Sequence, residues 1–448
     1  MNRPLLALLL GLSLMLSNAS VHAQQILPLK TFDLLLSGNP QAAAASLQRI
    51  RADWRNEYAP MLLEMVGFIP ERATQSGVLA LLERASGKPF DGSLDNWYQW
   101  LWERERREHP DYAEFKARLY EQIDPRFREY FANRPKTLIR LDEIRWGGVW
   151  RDGIPPLDKP KMIRAREASY LGGDDIVFGV AIDGDVRAYP KRILAWHEMV
   201  KDTIAGWPLN GVYCTLCGAM ILYDVTAGGV HHELGTSGFL YRSNKLMYDH
   251  ASKSLWSTFT GTPVVGALAG KGIELKTLHV VTTTWQEWKK RHPETLVLSL
   301  DTGHQRDYSE GAAYREYFAT DRLMFGVPKL DARLSNKAEV LALRSPTEQL
   351  AITAEFLAAH RAYHDRLGTQ EFVVFTDPSG ANRVYESGDV RFESWDGDAA
   401  ARDRSGRSWK VTEDSLVGPG GRGFKRLPAH RAFWFGWYSA YPGTRLVK

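Results

Sequence analysis

The residues best equipped for chemistry are the chain's only two cysteines, Cys214 and Cys217, which run into Gly218 as Cys-x-x-Cys-Gly. Thiols at this spacing can close a short-loop disulfide, cycle as a redox dithiol, or supply half of a metal site. A thioredoxin-like dithiol stands at a helix N-terminus, where the dipole lowers the thiol pKa. Here the following residues, Ala219-Met220-Ile221-Leu222-Tyr223-Asp224-Val225, read as a strand ending at Gly228-Gly229, which argues against that context. Strand, Cys-x-x-Cys-Gly, strand is instead the layout of a metal knuckle, in which glycine lets backbone N–H groups face the thiolates.

There is no second Cys-x-x-Cys, so further ligands must come from residues such as His197, His250, Met220 and Met247. Two thiolates with imidazole or thioether make a soft site suited to one copper or zinc ion. The ligand set taken forward is Cys214, Cys217, His197 and Met247. Covalent haem is excluded, because Gly218 stands where a Cys-x-x-Cys-His motif needs histidine. Two other readings stay open: a disulfide that stiffens the turn, contributing little chain entropy for so short a loop, and a thiol nucleophile.

Other candidates carry competing structural roles. His231 and His232 are successive strand residues that point to opposite faces, so one exposed and one packed histidine is expected rather than a shared ion. His197 could be a hydrogen-bonded core histidine, Glu198 an acid or a surface charge, and Met247 a core side chain. No P-loop, Gly-x-Gly-x-x-Gly after a strand, Gly-x-Ser-x-Gly or His-Glu-x-x-His is present, so no nucleotide is expected. The 57 Lys and Arg against 53 Asp and Glu give a formal charge of +4, too slight for nucleic acid as principal partner.

The elements that must hold these residues fall into two textures. After Arg3, an apolar run from Leu5 to Leu16 and the small residues of Val21-His22-Ala23 read as a secretory signal peptide over residues 1–23, placing the protein in the periplasm or outside the cell. No other stretch is long and apolar enough for a transmembrane segment in the mature protein. Residues 24–140 show helical periodicity, as in Trp97, Trp100 and Leu101, and again in Tyr112, Phe115, Leu119 and Ile123. They resemble a HEAT-type helical module whose expected task is structural or docking of a protein partner, with the charged run Glu103 to Glu108 as a solvated helix face. Beyond Asp142, short β-branched and aromatic runs broken by Gly, Pro and Asp indicate a β-rich domain.

That domain contains an internal repeat. Phe178-Gly179-Val180 recurs as Phe325-Gly326-Val327, and the run from Val212 to Ala219 with Tyr223-Asp224 recurs as Val374 to Ala381 with Tyr385-Glu386. Ser254-Leu255-Trp256 is answered by Arg407-Ser408-Trp409, and Trp285-x-x-Trp288 by Trp434-x-x-Trp437. Four markers in one order, over spans of nearly equal length, indicate homologous halves at residues 165–300 and 315–448. The paired tryptophans are expected to pack. An added helical stretch, Thr347 to Leu367, is expected in the second half. Thr376 and Ser379 occupy the second half's positions for Cys214 and Cys217, with Gly380 kept, so the thiols do more than build a turn.

From about residue 165 to the C-terminus the chain resembles a bacterial family known as domain of unknown function 3179. The resemblance rests on Val186-Arg187-Ala188-Tyr189-Pro190, Trp196-His197-Glu198, Tyr213-Cys214-Thr215-Leu216-Cys217-Gly218, Leu246-Met247-Tyr248-Asp249, Ser254-Leu255-Trp256 and Ala432-Phe433-Trp434-Phe435. Thr215 departs from a proline expected there in many members. The family implies no settled activity, but it directs attention to Cys214, Cys217 and His197. The expectation is an α+β protein: an all-α HEAT-like module, then a duplicated, mostly β domain with pseudo-twofold halves. Its expected function is metal binding or redox chemistry at the cysteine knuckle. The alternative is a non-catalytic ligand- or partner-binding protein with a structural disulfide.

Overall fold

A computed structural model describes residues 25–89 and 91–448. The expected signal peptide, residues 1–23, lies outside the described residues. The fold is α+β, with helices at the N-terminal end followed by a mostly β region of several sheets. No described helix is long and apolar enough to cross a membrane.

The helices Pro40–Ala52, Ala59–Met65, Arg72–Ser86, Asp95–Trp102 and Tyr112–Tyr120 turn their apolar faces inward, burying Leu47, Ile50, Leu62, Val78, Leu82, Trp97 and Phe115. Their core does not close on itself. It continues into the sheet ordered Ile144–Trp146, Leu234–Tyr241, Asn244–Asp249, Leu255–Ser257, Thr262–Val265. The junction is Phe239, whose ring meets Phe127, Tyr120 and Phe131 at centroid distances of 4.8, 5.0 and 5.2 Å. Buried Lys116 spans the same junction, donating to Glu64 in the helices and to the Ile144 carbonyl at 2.9 Å. The Glu103 to Glu108 run lies beyond the end of helix Asp95–Trp102; with no apolar side chain to pack, it forms an irregular connection rather than a helix face.

One β-sheet runs Val281–Thr284, Ile176–Ile182, Asp185–Pro190, Leu296–Leu298, Met162–Arg164, with Leu296–Leu298 parallel to Asp185–Pro190. A second runs His430–Phe433, Glu339–Arg344, Gln349–Thr353, Arg445–Val447, with the last two parallel. Each is followed by a short helix and a meander: Lys191–His197 leads into Met199–Ile204, Trp207–Cys214 and Ala219–Asp224, while Ala354–Ala359 leads into Ala362–Leu367, Gln370–Thr376 and Asn382–Glu386. Strand Ala219–Asp224 lies against His430–Phe433, and Asn382–Glu386 against Val281–Thr284.

Three expectations change in detail. Residues 347–367 are not one helix: Leu350 and Ile352, in strand Gln349–Thr353, pair with Leu343 and Leu341 of Glu339–Arg344, and Thr353 caps the short helix Ala354–Ala359 through Phe356 N–H at 3.2 Å. Phe178 lies in strand Ile176–Ile182, whereas Phe325-Gly326-Val327 lies outside the strands, so that marker does not align the sheets. The strands Ile144–Trp146, Leu157–Asp158 and Met162–Arg164 join the first-half sheets, which therefore draw on residues before 165. The six paired tryptophans, Trp256, Trp285, Trp288, Trp409, Trp434 and Trp437, are all buried. Trp288 and Trp437 donate to Thr295 Oγ1 and Thr444 Oγ1 at 3.1 and 2.9 Å.

A shared core predicts shared stability. Phe239→Ala should cost about 3–5 kcal/mol, the range for deleting a buried aromatic. Helical circular dichroism and tryptophan fluorescence should then fall together in one denaturant transition at a lower midpoint, whereas an independently folded helical module would separate the two signals.

Candidate functional site

The thiol turn is a β-hairpin. Cys214 ends strand Trp207–Cys214 opposite Ala219, which opens Ala219–Asp224. Cys217 N–H donates to the Cys214 carbonyl at 3.1 Å, closing the turn. Gly218 takes φ of 59°, and a Cβ there would stand 2.9 Å from the Phe433 ring, so both backbone and packing require glycine. No helix begins at the cysteines.

Both thiols are free and buried, Cys214 at 2% and Cys217 at 0% exposure. Cys217 lies deeper: its Sγ accepts from Asn244 Nδ2 at 3.4 Å and faces the Ser243 carbonyl at 3.5 Å. Its own carbonyl accepts Phe433 N–H at 2.7 Å. A Cβ on Gly436 would come within 3.2 Å of the Cys217 sulfur, so helix Trp434–Ala440 approaches the thiol along its glycine.

The hairpin makes the two thiols unequal. Burial raises the Cys214 pKa, but hydrogen bonds from the Cys217 thiol and from the Lys245 and Cys217 N–H groups outweigh it and hold Cys214 below the ordinary thiol value. Burial pushes the Cys217 thiol well up, and the neighbouring Cys214 sulfur adds to this. The two thiols are thus pushed in opposite directions, Cys214 down and Cys217 up. The N–H groups of Cys217 in the hairpin and of Lys245 in strand Asn244–Asp249 lower the Cys214 thiol here, as a helix N-terminus does in other dithiols.

Cys214 lines a cavity of about 60 Å³ together with Glu198, Thr215, Lys245 and Tyr314, and Met324, 52% exposed, lies at its rim. Glu198 follows helix Lys191–His197 in the left-handed conformation, φ 54°, which turns its carboxylate from the helix toward the hairpin. Its Oε1 accepts from Thr215 Oγ1 at 3.1 Å and from the Tyr314 hydroxyl at 3.3 Å, and its Oε2 lies 3.0 Å from Lys245 Nζ. The pair is buried on both sides. Tyr317 adds a further brace, its hydroxyl donating to the Leu216 carbonyl at 2.8 Å.

Of the residues singled out in the sequence, the structure gathers Cys214, Cys217 and Met247 into one apolar core. His197 is directed elsewhere. Its Nδ1 lies 2.8 Å from the Pro155 carbonyl and its Nε2 2.6 Å from the Tyr308 hydroxyl, and burial pushes its imidazole down to about 4. Neutral, it donates through Nδ1 and accepts from Tyr308 through Nε2, so both nitrogens are engaged. Among the described residues no group of three or more His, Cys, Asp or Glu stands where it could hold a metal ion. The four-donor arrangement of a closed zinc site does not fit these residues as they stand. His232 is packed against Trp256 with Nδ1 3.2 Å from Asp249 Oδ2, just past the short strand Val230–His231, in which His231 is exposed.

A family model described as a protein of unknown function (DUF3179) matches residues 151–444. The chain belongs to that family. No curated protein and no solved structure matches it. The DUF3179 region contains the whole thiol site, from Glu198 through the hairpin and Lys245 to Tyr314, while the helical segment before residue 151 lies outside the match.

Lys245, Asn244, Tyr314 and Tyr317 were not apparent as site residues in the sequence. Lys245 carries a signal in retrospect, as a charge within the otherwise uncharged run Asn244-Lys245-Leu246-Met247-Tyr248 of a strand buried along its length. The two tyrosines come from the connection between the halves and reach the turn only in the fold.

Glu198→Gln tests this network in two ways. It leaves the Lys245 ammonium buried without its partner, at a cost of about 3–5 kcal/mol in chemical denaturation. It also removes a negative charge that raises the Cys214 pKa, so the pH midpoint of Cys214 alkylation by a small reagent should move down. An unchanged midpoint would show that Glu198 exerts no field on the thiol.

Proposed function

We propose that the protein is a dithiol redox protein in which Cys214 is the attacking thiol and Cys217 the resolving one. The observation that carries this reading is the asymmetry of the hairpin: Cys214 lines the cavity and its thiol is held below the ordinary value, while Cys217 lies behind it, with its thiol pushed up by burial. In the reducing direction, the Cys214 thiolate attacks one sulfur of a substrate disulfide. The substrate S–S bond breaks, and its departing sulfur takes up a proton. Cys217 then gives up its proton and attacks Cys214 Sγ, which breaks the mixed disulfide. The substrate leaves as a dithiol, and two electrons have passed from the protein, which now holds a Cys214–Cys217 disulfide.

An exported location belongs to the same proposal, since the leader would place the pair where disulfides persist. So does duplication. The matching strand orders, and the reciprocal contacts of each hairpin with the other half, support a pseudo-twofold pair of homologous halves. On that reading Thr376 and Ser379 mark a copy that keeps the turn without the chemistry. A HEAT-like docking role for the helices is the remaining part, supported by their position outside the family match.

A soft metal ion on the two thiols is the second reading, favoured by Met247 lying in the same core. Trapping separates the two. With Cys217→Ser, reaction with a small disulfide such as oxidised glutathione should leave one mixed disulfide on Cys214, stable until a reductant is added, while Cys214→Ser should form none. If both variants react equally, or neither does, the assignment of attacking and resolving thiols is wrong.

A further inference from the structure

A second cleft, of about 380 Å³, opens between the two halves on the far side of the hairpin, sharing Tyr213 and Gly218 with it. Its apolar wall is formed by Ile176, Phe178 and Phe433. Two cations line it, and they are not equivalent. Arg431 is fully engaged: Nε donates to Asn382 Oδ1 at 2.8 Å, Nη1 to Glu339 Oε2 at 2.9 Å, and Nη2 to the Gly380 carbonyl at 2.5 Å. The Lys191 ammonium, by contrast, has no carboxylate of a described residue in ion-pair range and lies over the Phe318 ring, 4.4 Å from its centroid.

A partly buried ammonium without an ion-pair partner is costly to keep, so a carboxylate brought to it is favoured. The neighbouring acids, Glu310, Glu339 and Glu355, are all exposed; Glu339 is committed to Arg431, and Glu310 and Glu339 act on Lys191 only from beyond ion-pair range. One positive charge without an ion-pair partner, an apolar wall beside it and acids at the entrance suit a ligand with a single negative charge and a hydrocarbon body, and disfavour polyanions. We propose that this cleft binds a small organic monocarboxylate, with Lys191 as its counter-ion and Ile176, Phe178 and Phe433 against its apolar part. Burial holds the Lys191 ammonium below its ordinary pKa, so a bound carboxylate would relieve a strained charge. The inference uses neither thiol and stands apart from the redox reading.

Calorimetric titration of the full chain with hexanoate and with hexanamide tests it. Hexanoate should bind at least about tenfold more tightly than the neutral amide, and Lys191→Met should remove that preference while leaving the weak binding of hexanamide unchanged. Circular dichroism of the variant verifies that the fold persists, and a Lys191→Arg variant, which keeps the charge, should retain preference for the acid. No heat of binding with hexanoate in the millimolar range, equal affinity for acid and amide, or an undiminished preference in Lys191→Met would each overturn the proposal.

Discussion

The hydrogen bond from Phe433 N–H to the Cys217 carbonyl, 2.7 Å long, ties the thiol turn of one half of the β region to the strand–helix junction of the other. Around it the two halves interlock: the Phe433 ring covers Gly218, and Gly436 brings helix Trp434–Ala440 against the Cys217 sulfur. The environment that keeps Cys217 buried and protonated is therefore built jointly. A second tie is the carboxylate of Glu413, to which Arg291 of the first half and Arg383 and Arg426 of the second approach at 2.8, 2.9 and 2.7 Å. The tie across the halves is Arg291, which is nearly buried and would lose both Glu413 and Asp398 if either half moved.

From that placement the inequality of the cysteines follows. Cys214 sits at the end of its strand, where hairpin N–H groups and the Cys217 thiol can serve a thiolate, and it borders a cavity. Cys217 is turned into the seam between the halves. The hairpin thus gives the two thiols unequal surroundings without a helix dipole, through the N–H groups that reach Cys214 and the cavity that Cys214 alone borders. The Glu198–Lys245 pair fixes Thr215 and, through it, the turn.

Much of this was legible from the order of residues. Cys214, Cys217 and Gly218 announce a strand–turn–strand, because apolar residues on both sides continue at strand length and glycine permits the left-handed turn. The paired tryptophans were legible as core because such large side chains recur at matched places. The 347–367 segment misled, since Leu350, Phe356, Leu357 and Tyr363 satisfy helical spacing by chance while strand pairing with Glu339–Arg344 and Gln370–Thr376 decides the structure. Tertiary pairing overrides a local period in short segments. The partners of His197, Pro155 and Tyr308, are distant in sequence, as are Lys245 and Tyr314 from Glu198, so no spacing rule could reveal which polar groups would meet.

The central claim is that Cys214 and Cys217 act as one two-electron couple. Equilibration of the purified chain with glutathione buffers of graded potential, followed by intact mass and thiol quantification, tests it directly. The account predicts that both thiols disappear together in a single two-electron transition, with the mass falling by two hydrogens and no metal released. Thiols that stay reduced across every buffer, or that become titratable only once a stoichiometric metal ion is removed, would contradict it.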